Sequence, residues 1–158
     1  MLRGIIICPD VDLNERLEAI LTETGIVGIT RTLDRYPSAL ELLRFLRAHA
    51  PQVIFVSTES TSKAMEIARE VEKNTPGVQI VAVSRFVDPQ ILLEVMRAGI
   101  REFASLPFDR QTLVDALVRI KDAVLARPAS IAESRRRSDA GGSTTFTGRN
   151  GPTNCEIS

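Results

Sequence analysis

The 158-residue sequence is poor in the residues that mark several common functional classes. It has no tryptophan and only 4% aromatic residues, which gives little support to base stacking on nucleic acids. Its two cysteines, Cys8 and Cys155, lie far apart, and this spacing favours neither a disulfide framework nor a metal site. No apolar run approaches the ~20 residues that a membrane span needs. The pattern fits a protein of a reducing cytoplasm.

The chain also has no excess of positive or negative charge, because its 20 basic and 20 acidic residues cancel. A neutral chain offers no overall field for nucleic acid or an anionic membrane. His49 stands alone, without the cysteines or carboxylates that a metal site or catalytic base would need. What the chain does have is 44% hydrophobic residues, enough for the core of one domain.

Five short apolar runs, rich in isoleucine and valine, alternate with segments of helical periodicity. Such runs are typical of parallel strands that helices cover on both faces. They predict an α/β fold, (βα)5, with a doubly wound, flavodoxin-like parallel sheet of strand order 2-1-3-4-5. In this fold the functional crevice lies at the carboxyl ends of the first and third strands. The runs cover residues 4–8, 25–30, 53–56, 78–83 and 102–106.

The ends of the helices are indicated by their capping residues. Asp12 with Glu15 predicts a capping box, Asp88 before Pro89 an N-cap, and Asp109 the start of the last helix. Gly25 and Gly99 are expected to end the first and fourth helices. The second helix is expected to bury Leu40, Leu43 and Leu46.

The composition changes near Pro128, which is expected to stop the last helix. Beyond it the chain is polar and rich in glycine and serine. We therefore expect a domain over residues 1–127, and a polar linker or tail over 128–158 that is predicted to be disordered.

The loops that follow the strands resemble those of the receiver domains of CheY-like response regulators, over about residues 2–126. Ala98-Gly99, then Phe103, then Leu106-Pro107-Phe108 match the receiver pattern of Ala-Gly, a strand-five aromatic and Lys-Pro-Phe. The resemblance implies that Phe103 occupies the position of the switch aromatic. It also implies a turn at Pro107 of a kind that often contains a cis peptide bond.

The residues that carry receiver chemistry are mostly replaced in this chain. The resemblance places Pro9 and Asp10 at the acidic pair, Ser57 at the phosphoacceptor aspartate, Ser84 at the Ser/Thr position and Leu106 at the lysine. Magnesium prefers several hard oxygen ligands, so Asp10 is only a weak candidate ligand and Mg²⁺ is not expected as a cofactor. A serine at position 57 cannot form an acyl phosphate. These replacements predict a degenerate site in a protein that is not an enzyme.

Two other functions stay open at this point. The chain could be a phosphorelay receiver with an unusual site that uses Asp10 or Asp12. It could instead be a sensor that binds a small ligand in the same crevice.

A non-catalytic receiver would act through its surface, which predicts a protein partner or a homodimer. In receivers the face of the fourth helix, fifth strand and fifth helix is the usual contact surface. The core stripe of the fourth helix is expected to hold Ile91, Leu92, Val95, Met96 and Ala98. Residues expected to extend the apolar surface beyond the core are Leu93, Val114, Val118 and Leu125.

The receiver-like unit, the missing phosphoacceptor, the segment "AGIREF" and the polar linker together resemble the N-terminal domain of the TadZ/CpaE pilus-assembly proteins. This resemblance implies a bacterial cytoplasmic signalling or localisation module that is recruited to the cell pole.

Overall fold

The computed structural model describes residues 1–140, and their side chains as far as residue 125. The chain divides into two units, Met1–Val124 and Leu125–Ser158. The first contains the whole sheet. In the second, the described residues belong to the last helix. Residues 141–158, which include most of the predicted tail, lie outside the described part of the chain.

Five strands and five helices alternate along the described chain. The strands are β1 Leu2–Ile7, β2 Val27–Leu33, β3 Val53–Ser57, β4 Gln79–Ser84 and β5 Glu102–Ser105. The helices are α1 Val11–Thr24, α2 Ala39–His49, α3 Thr61–Asn74, α4 Pro89–Arg97 and α5 Arg110–Ala140. All strand pairs are parallel, in the order β2-β1-β3-β4-β5. The predicted α/β fold and strand order are therefore confirmed.

The core consists of apolar layers on the two faces of this sheet. Strand β3 is buried along its whole length, as a central strand covered on both faces should be. One layer holds the apolar residues of helix α1 and the start of α5, including Leu17 and Leu117. The opposite layer holds those of helices α2 and α3, including Leu42 and Ile67. This arrangement fixes the polar loops at the carboxyl edge of the sheet.

Several helix caps agree with those predicted from the sequence. Gly25 ends helix α1 in the left-handed conformation, with φ of 68°, and Asp88 accepts a hydrogen bond from the Gln90 amide at the start of α4. The Asp109 carboxylate accepts from the Thr112 amide at 2.9 Å. The predicted cap of α1 is wrong: the N-cap is Asp10, whose side chain accepts from the Leu13 amide, because the helix begins at Val11.

The phase of two helices also differs from the prediction. Helix α2 buries Leu42 and Leu46, whereas Leu40 is 58% exposed. In α4 only Val95 is fully buried, and Met96 is 60% exposed rather than part of the core. Both helices carry apolar residues on more than one side, so more than one buried stripe fits the helical period. The contacts with the sheet decide which of these stripes faces the core.

Helix α5 continues beyond Pro128 to Ala140, so the predicted stop is wrong. The fixed φ of proline, about −65°, is compatible with a helix, which can continue at the loss of one backbone hydrogen bond. Within residues 1–140, no helix combines the length and the apolar character needed to cross a bilayer.

Candidate functional site

The carboxyl edge of the sheet contains a cavity of 440 Å³ where the loops after β1, β3 and β4 meet. Four of the five residues predicted for the degenerate site line it: Pro9, Asp10, Ser57 and Ser84. The parallel strands bring these residues together because their carboxyl ends share one edge. Leu106 does not line the cavity. It is half-buried and packs against the core layer that contains α1 and α5.

Arg85 supplies the main electrostatic contact of this crevice. Its guanidinium donates to both carboxylate oxygens of Asp10, through Nε to Oδ2 and through Nη2 to Oδ1 at 2.8 Å. Nη2 also donates to Oδ2 of Asp12 at 3.2 Å. A cation carried by the loop after β4 thus lies between the two carboxylates nearest the end of β1.

The pairing changes the acidity of Asp10. The hydrogen bonds from Arg85 hold the pKa of this carboxyl below its usual value, and the bond from the Leu13 amide acts in the same direction. The Asp10 contacts in turn raise the pKa of Arg85. Both groups therefore stay charged near neutral pH, and Asp10 performs two structural tasks, as helix cap and as ion-pair partner.

Ser57 lies at the phosphoacceptor position but offers little to a reactant. Its side chain is buried, with 1% of the residue exposed, and its Oγ accepts a hydrogen bond from the Glu59 amide at 3.1 Å. The next residue, Thr58, is also buried and bonds to the Val83 carbonyl through its amide at 2.9 Å. These contacts fix the loop after β3 to its own backbone and to β4.

Tyr36, from the loop after β2, fixes the same loop from the other side. Its hydroxyl donates to the Ser57 carbonyl at 2.6 Å and accepts from the Ser60 amide at 3.1 Å. Burial raises the pKa of this phenol, so it keeps the proton that it donates. The ring also lies under the Lys63 ammonium, 5.9 Å from the ring centroid.

Cys8, at the end of β1, lies in the core beside these polar groups. It is buried, and its Sγ donates to the Asp10 carbonyl at 3.3 Å. Burial raises the pKa of the thiol, which favours the protonated and unreactive form.

The crevice does not fit Mg²⁺ as a receiver site would. Asp10 and Asp12 already bind a guanidinium, and an alcohol stands where a third carboxylate would be needed. Among the described residues, no group of three or more His, Cys, Asp and Glu side chains is placed to hold a metal ion. The arrangement can order loops and present charge.

Sequence reasoning missed the two contacts that organise the crevice. Arg85 directly follows β4, so the sequence does place it among the crevice loops, where it could supply charge. The sequence did not show that it pairs with Asp10 and Asp12. Tyr36 follows β2, a strand whose loop is not usually part of the crevice, and nothing in its local pattern points to the loop after β3.

The remaining predicted residues lie away from the crevice. Phe103 is half-buried and packs against a small cluster formed by Ala68, Ala82, Val95 and Ile100. The Leu106–Pro107 peptide bond is cis, as the resemblance implied.

The candidate interface residues differ in exposure. Leu93 on α4 is 49% exposed and Val118 on α5 is 44% exposed, while Val114 is half-buried. In the second unit, Leu125 is 67% exposed.

Comparison with known proteins identifies the fold. No family model and no curated sequence matches the chain. Among solved structures, a CheY-like protein (TadZ) from Pseudomonas aeruginosa aligns with a TM-score of 0.65 and 20% identity, over 76% of this chain and 93% of that one.

Two further structures extend the comparison. A protein proposed to act in pilus assembly (CpaE), from Burkholderia thailandensis, gives a TM-score of 0.65 and 25% identity over 77% of this chain and 99% of that one. A response regulator from Thermotoga maritima aligns with a TM-score of 0.63 and 16% identity, over 78% of this chain and 98% of that one. The chain therefore has the CheY-like receiver fold, and its structural neighbours include both pilus-assembly proteins and response regulators. Receiver domains are generally signalling modules rather than enzymes.

Proposed function

We propose that this chain is a non-catalytic, receiver-like signalling or localisation module that acts through contacts with other proteins. The observation that carries the proposal is the Arg85 guanidinium, which bridges Asp10 and Asp12. The resemblance to receivers implies that acidic residues after the first strand hold Mg²⁺ in a working receiver, whereas in this chain a side-chain cation is paired with Asp10.

The other crevice positions support the same conclusion. Phosphoryl transfer to a receiver needs a carboxylate acceptor, a metal and a cation that neutralises the phosphate. Here the acceptor position holds a buried serine, and the lysine position holds Leu106, which packs into the core. A phosphate added at Ser57 would also disrupt the hydrogen bond between its Oγ and the Glu59 amide. We propose that the chain is not an enzyme and binds no Mg²⁺ or other cofactor.

Pilus assembly is the process that we propose for the module. Two of the structural neighbours carry the names CpaE and TadZ, and the CpaE protein is 25% identical to this chain. A domain of this kind would act in the bacterial cytoplasm and bring its assembly to the cell pole. The contact surface would be the face of α4, β5 and α5, where Leu93 and Val118 are exposed and Val114 is half-buried. Leu125, in the second unit, is a separate candidate contact residue.

A second function is favoured by one observation, the 440 Å³ volume of the crevice. A cavity of this size could hold a small ligand, which would make the chain a sensor. Among its lining residues, Asp10, Arg85 and Ser57 are already hydrogen-bonded within the chain, which favours the first proposal. An unusual phosphorelay receiver has less support, because Asp10 and Asp12 would have to release Arg85 first.

The decisive experiment is incubation of the full chain with acetyl phosphate and Mg²⁺, followed by intact-mass measurement. The Thermotoga response regulator serves as the parallel positive control. We expect no phosphorylated species, and no shift of the Asp10, Ser57 or Phe103 NMR signals when beryllofluoride and Mg²⁺ are added. A mass gain of one phosphoryl group would overturn the proposal, and a thermal shift with a single metabolite or nucleotide would favour the sensor.

A further inference from the structure

The loop between β4 and α4 presents two large apolar side chains to solvent. Phe86 is 73% exposed and Val87 is 58% exposed, and they are adjacent in sequence. Phe86 also lines the crevice cavity. Exposed apolar residues are common when single, but an exposed aromatic beside a second apolar residue at the edge of a cavity is typical of a contact site.

This loop is held in place on both sides of the exposed pair. Arg85, just before it, is bonded to Asp10 and Asp12, and the Phe86 amide donates to Ser84 Oγ at 3.4 Å. Asp88, just after it, caps helix α4 through the Gln90 amide at 2.9 Å. Phe86 and Val87 are therefore presented by an ordered segment, which lowers the entropic cost of binding.

The charge around the exposed pair is negative. Three acidic side chains, those of Asp10, Glu59 and Asp88, line the cavity together with one basic side chain, that of Arg85. Arg85 is already paired with Asp10. Glu59 and Asp88 are exposed, and neither forms an ion pair with any lysine or arginine of residues 1–125. Two negative charges beside an apolar tip favour a positively charged occupant.

The apolar surface continues along helix α4. Pro89, Leu93 and Met96 follow the spacing of one helical face, and all three are exposed, Leu93 to 49% and Met96 to 60%. The exposed strip thus starts at Phe86 and runs away from the crevice, which gives an extended segment room to bind. We call the four residues Glu59, Phe86, Val87 and Asp88 the crevice mouth.

We propose that the crevice mouth binds a basic segment of a partner protein, with an apolar side chain against Phe86 and Val87 and lysine or arginine residues beside Glu59 and Asp88. This inference rests on the proposed function and names the chemistry of the partner. The acidic rim repels an anionic lipid surface, so the charge favours a protein occupant over a membrane.

The test is selection of a random peptide library, displayed on phage, against the full chain. We expect the enriched peptides to combine basic and apolar residues. Their affinity should fall at least about tenfold for Phe86→Ser, since buried aromatic anchors contribute over 1.4 kcal/mol at interfaces. Glu59→Gln with Asp88→Asn should reduce the salt dependence of binding, and asparagine keeps the helix cap.

Matched variants on other surfaces control the experiment. Leu40→Ser, at a residue 58% exposed on α2, and Glu18→Gln, at an exposed residue on α1, should leave peptide binding unchanged. Failure to enrich any peptide, enrichment of acidic peptides, or equal binding by Phe86→Ser would overturn the proposal. If the peptides lose affinity for the Val118→Ser variant but not for Phe86→Ser, the crevice mouth is not the binding site. The proposed function in protein contacts would still stand in that case. Phosphorylation by acetyl phosphate would overturn the proposed function independently of any peptide result.

Discussion

The crevice and the outward face of helix α4 differ in how far their side chains are bonded to the rest of the chain. In the crevice, Asp10 binds Arg85 and caps a helix, and the Tyr36 hydroxyl both donates and accepts. On α4, Leu93 and Met96 remain about half exposed or more. The contacts of Asp10, Arg85 and Tyr36 stabilise the crevice, whereas the exposed apolar side chains on the outward face of α4 contribute little to folding. The proposal of protein contacts therefore rests on the second region, and the proposal that the chain is not an enzyme rests on the first.

The largest effect is expected from restoring the phosphoacceptor. Ser57→Asp should lower the free energy of unfolding by about 3 kcal/mol at neutral pH, because the new carboxylate would be buried without a cationic partner. It would also share a cavity with Asp10. Chemical denaturation measures the change.

Ser62→Asp is the matched control for that substitution. Ser62 is exposed in the first turn of α3, where a negative charge is favourable. This variant should be as stable as the parent chain. Equal stability of Ser57→Asp and the parent would mean that the crevice can still accept a carboxylate, and the contrast between the two regions would fail.

A smaller effect separates the two sides of helix α4. Val95 is 1% exposed, so Val95→Ala should cost about 2 kcal/mol through lost burial and the cavity left behind. Leu93→Ala, two residues away, should change the free energy of unfolding by less than about 0.5 kcal/mol. Thermal or denaturant unfolding of the two variants provides the measurement. A cost for Leu93→Ala as large as that for Val95→Ala would show that Leu93 supports the fold.

The smallest effect concerns the acid dependence of the Arg85 contact. The lowered pKa of Asp10 contributes stability above its usual value of 3.8, and this contribution is lost as the pH falls through the folded value. Arg85→Gln should raise the pKa of Asp10 towards its usual value and destabilise the chain only slightly at neutral pH, since the ion pair is partly exposed to solvent.

Carboxyl NMR titration of Asp10 measures this shift directly. Arg16→Gln is the control, because Arg16 binds Asp12 rather than Asp10. The stability difference between the parent and Arg85→Gln should shrink as the solution is acidified. An unchanged Asp10 titration in Arg85→Gln would show that the Leu13 amide alone sets its pKa.

The fold was predictable because its signals are local and repeated. Runs such as Val53–Val56 are buried on both faces of the sheet, and the caps at Gly25, Asp88 and Asp109 mark helix ends directly. The same regularity placed Asp10 and Ser57 at one edge. The sequence could not show that Arg85 reaches Asp10, because that depends on the side-chain conformation of residues far apart in the chain. The phase of α2 and α4 also needed the sheet, since several apolar stripes fit their period.

The position of Tyr36 has a practical consequence for optical measurements. The full sequence contains no tryptophan and one tyrosine, so intrinsic emission in the tyrosine band comes from this residue alone. Its hydroxyl joins two backbone groups of the loop after β3, and its ring lies beneath Lys63. The unlabelled chain thus carries its single tyrosine at the border of its crevice. Tyrosine absorbance and fluorescence will report any rearrangement there without an added probe.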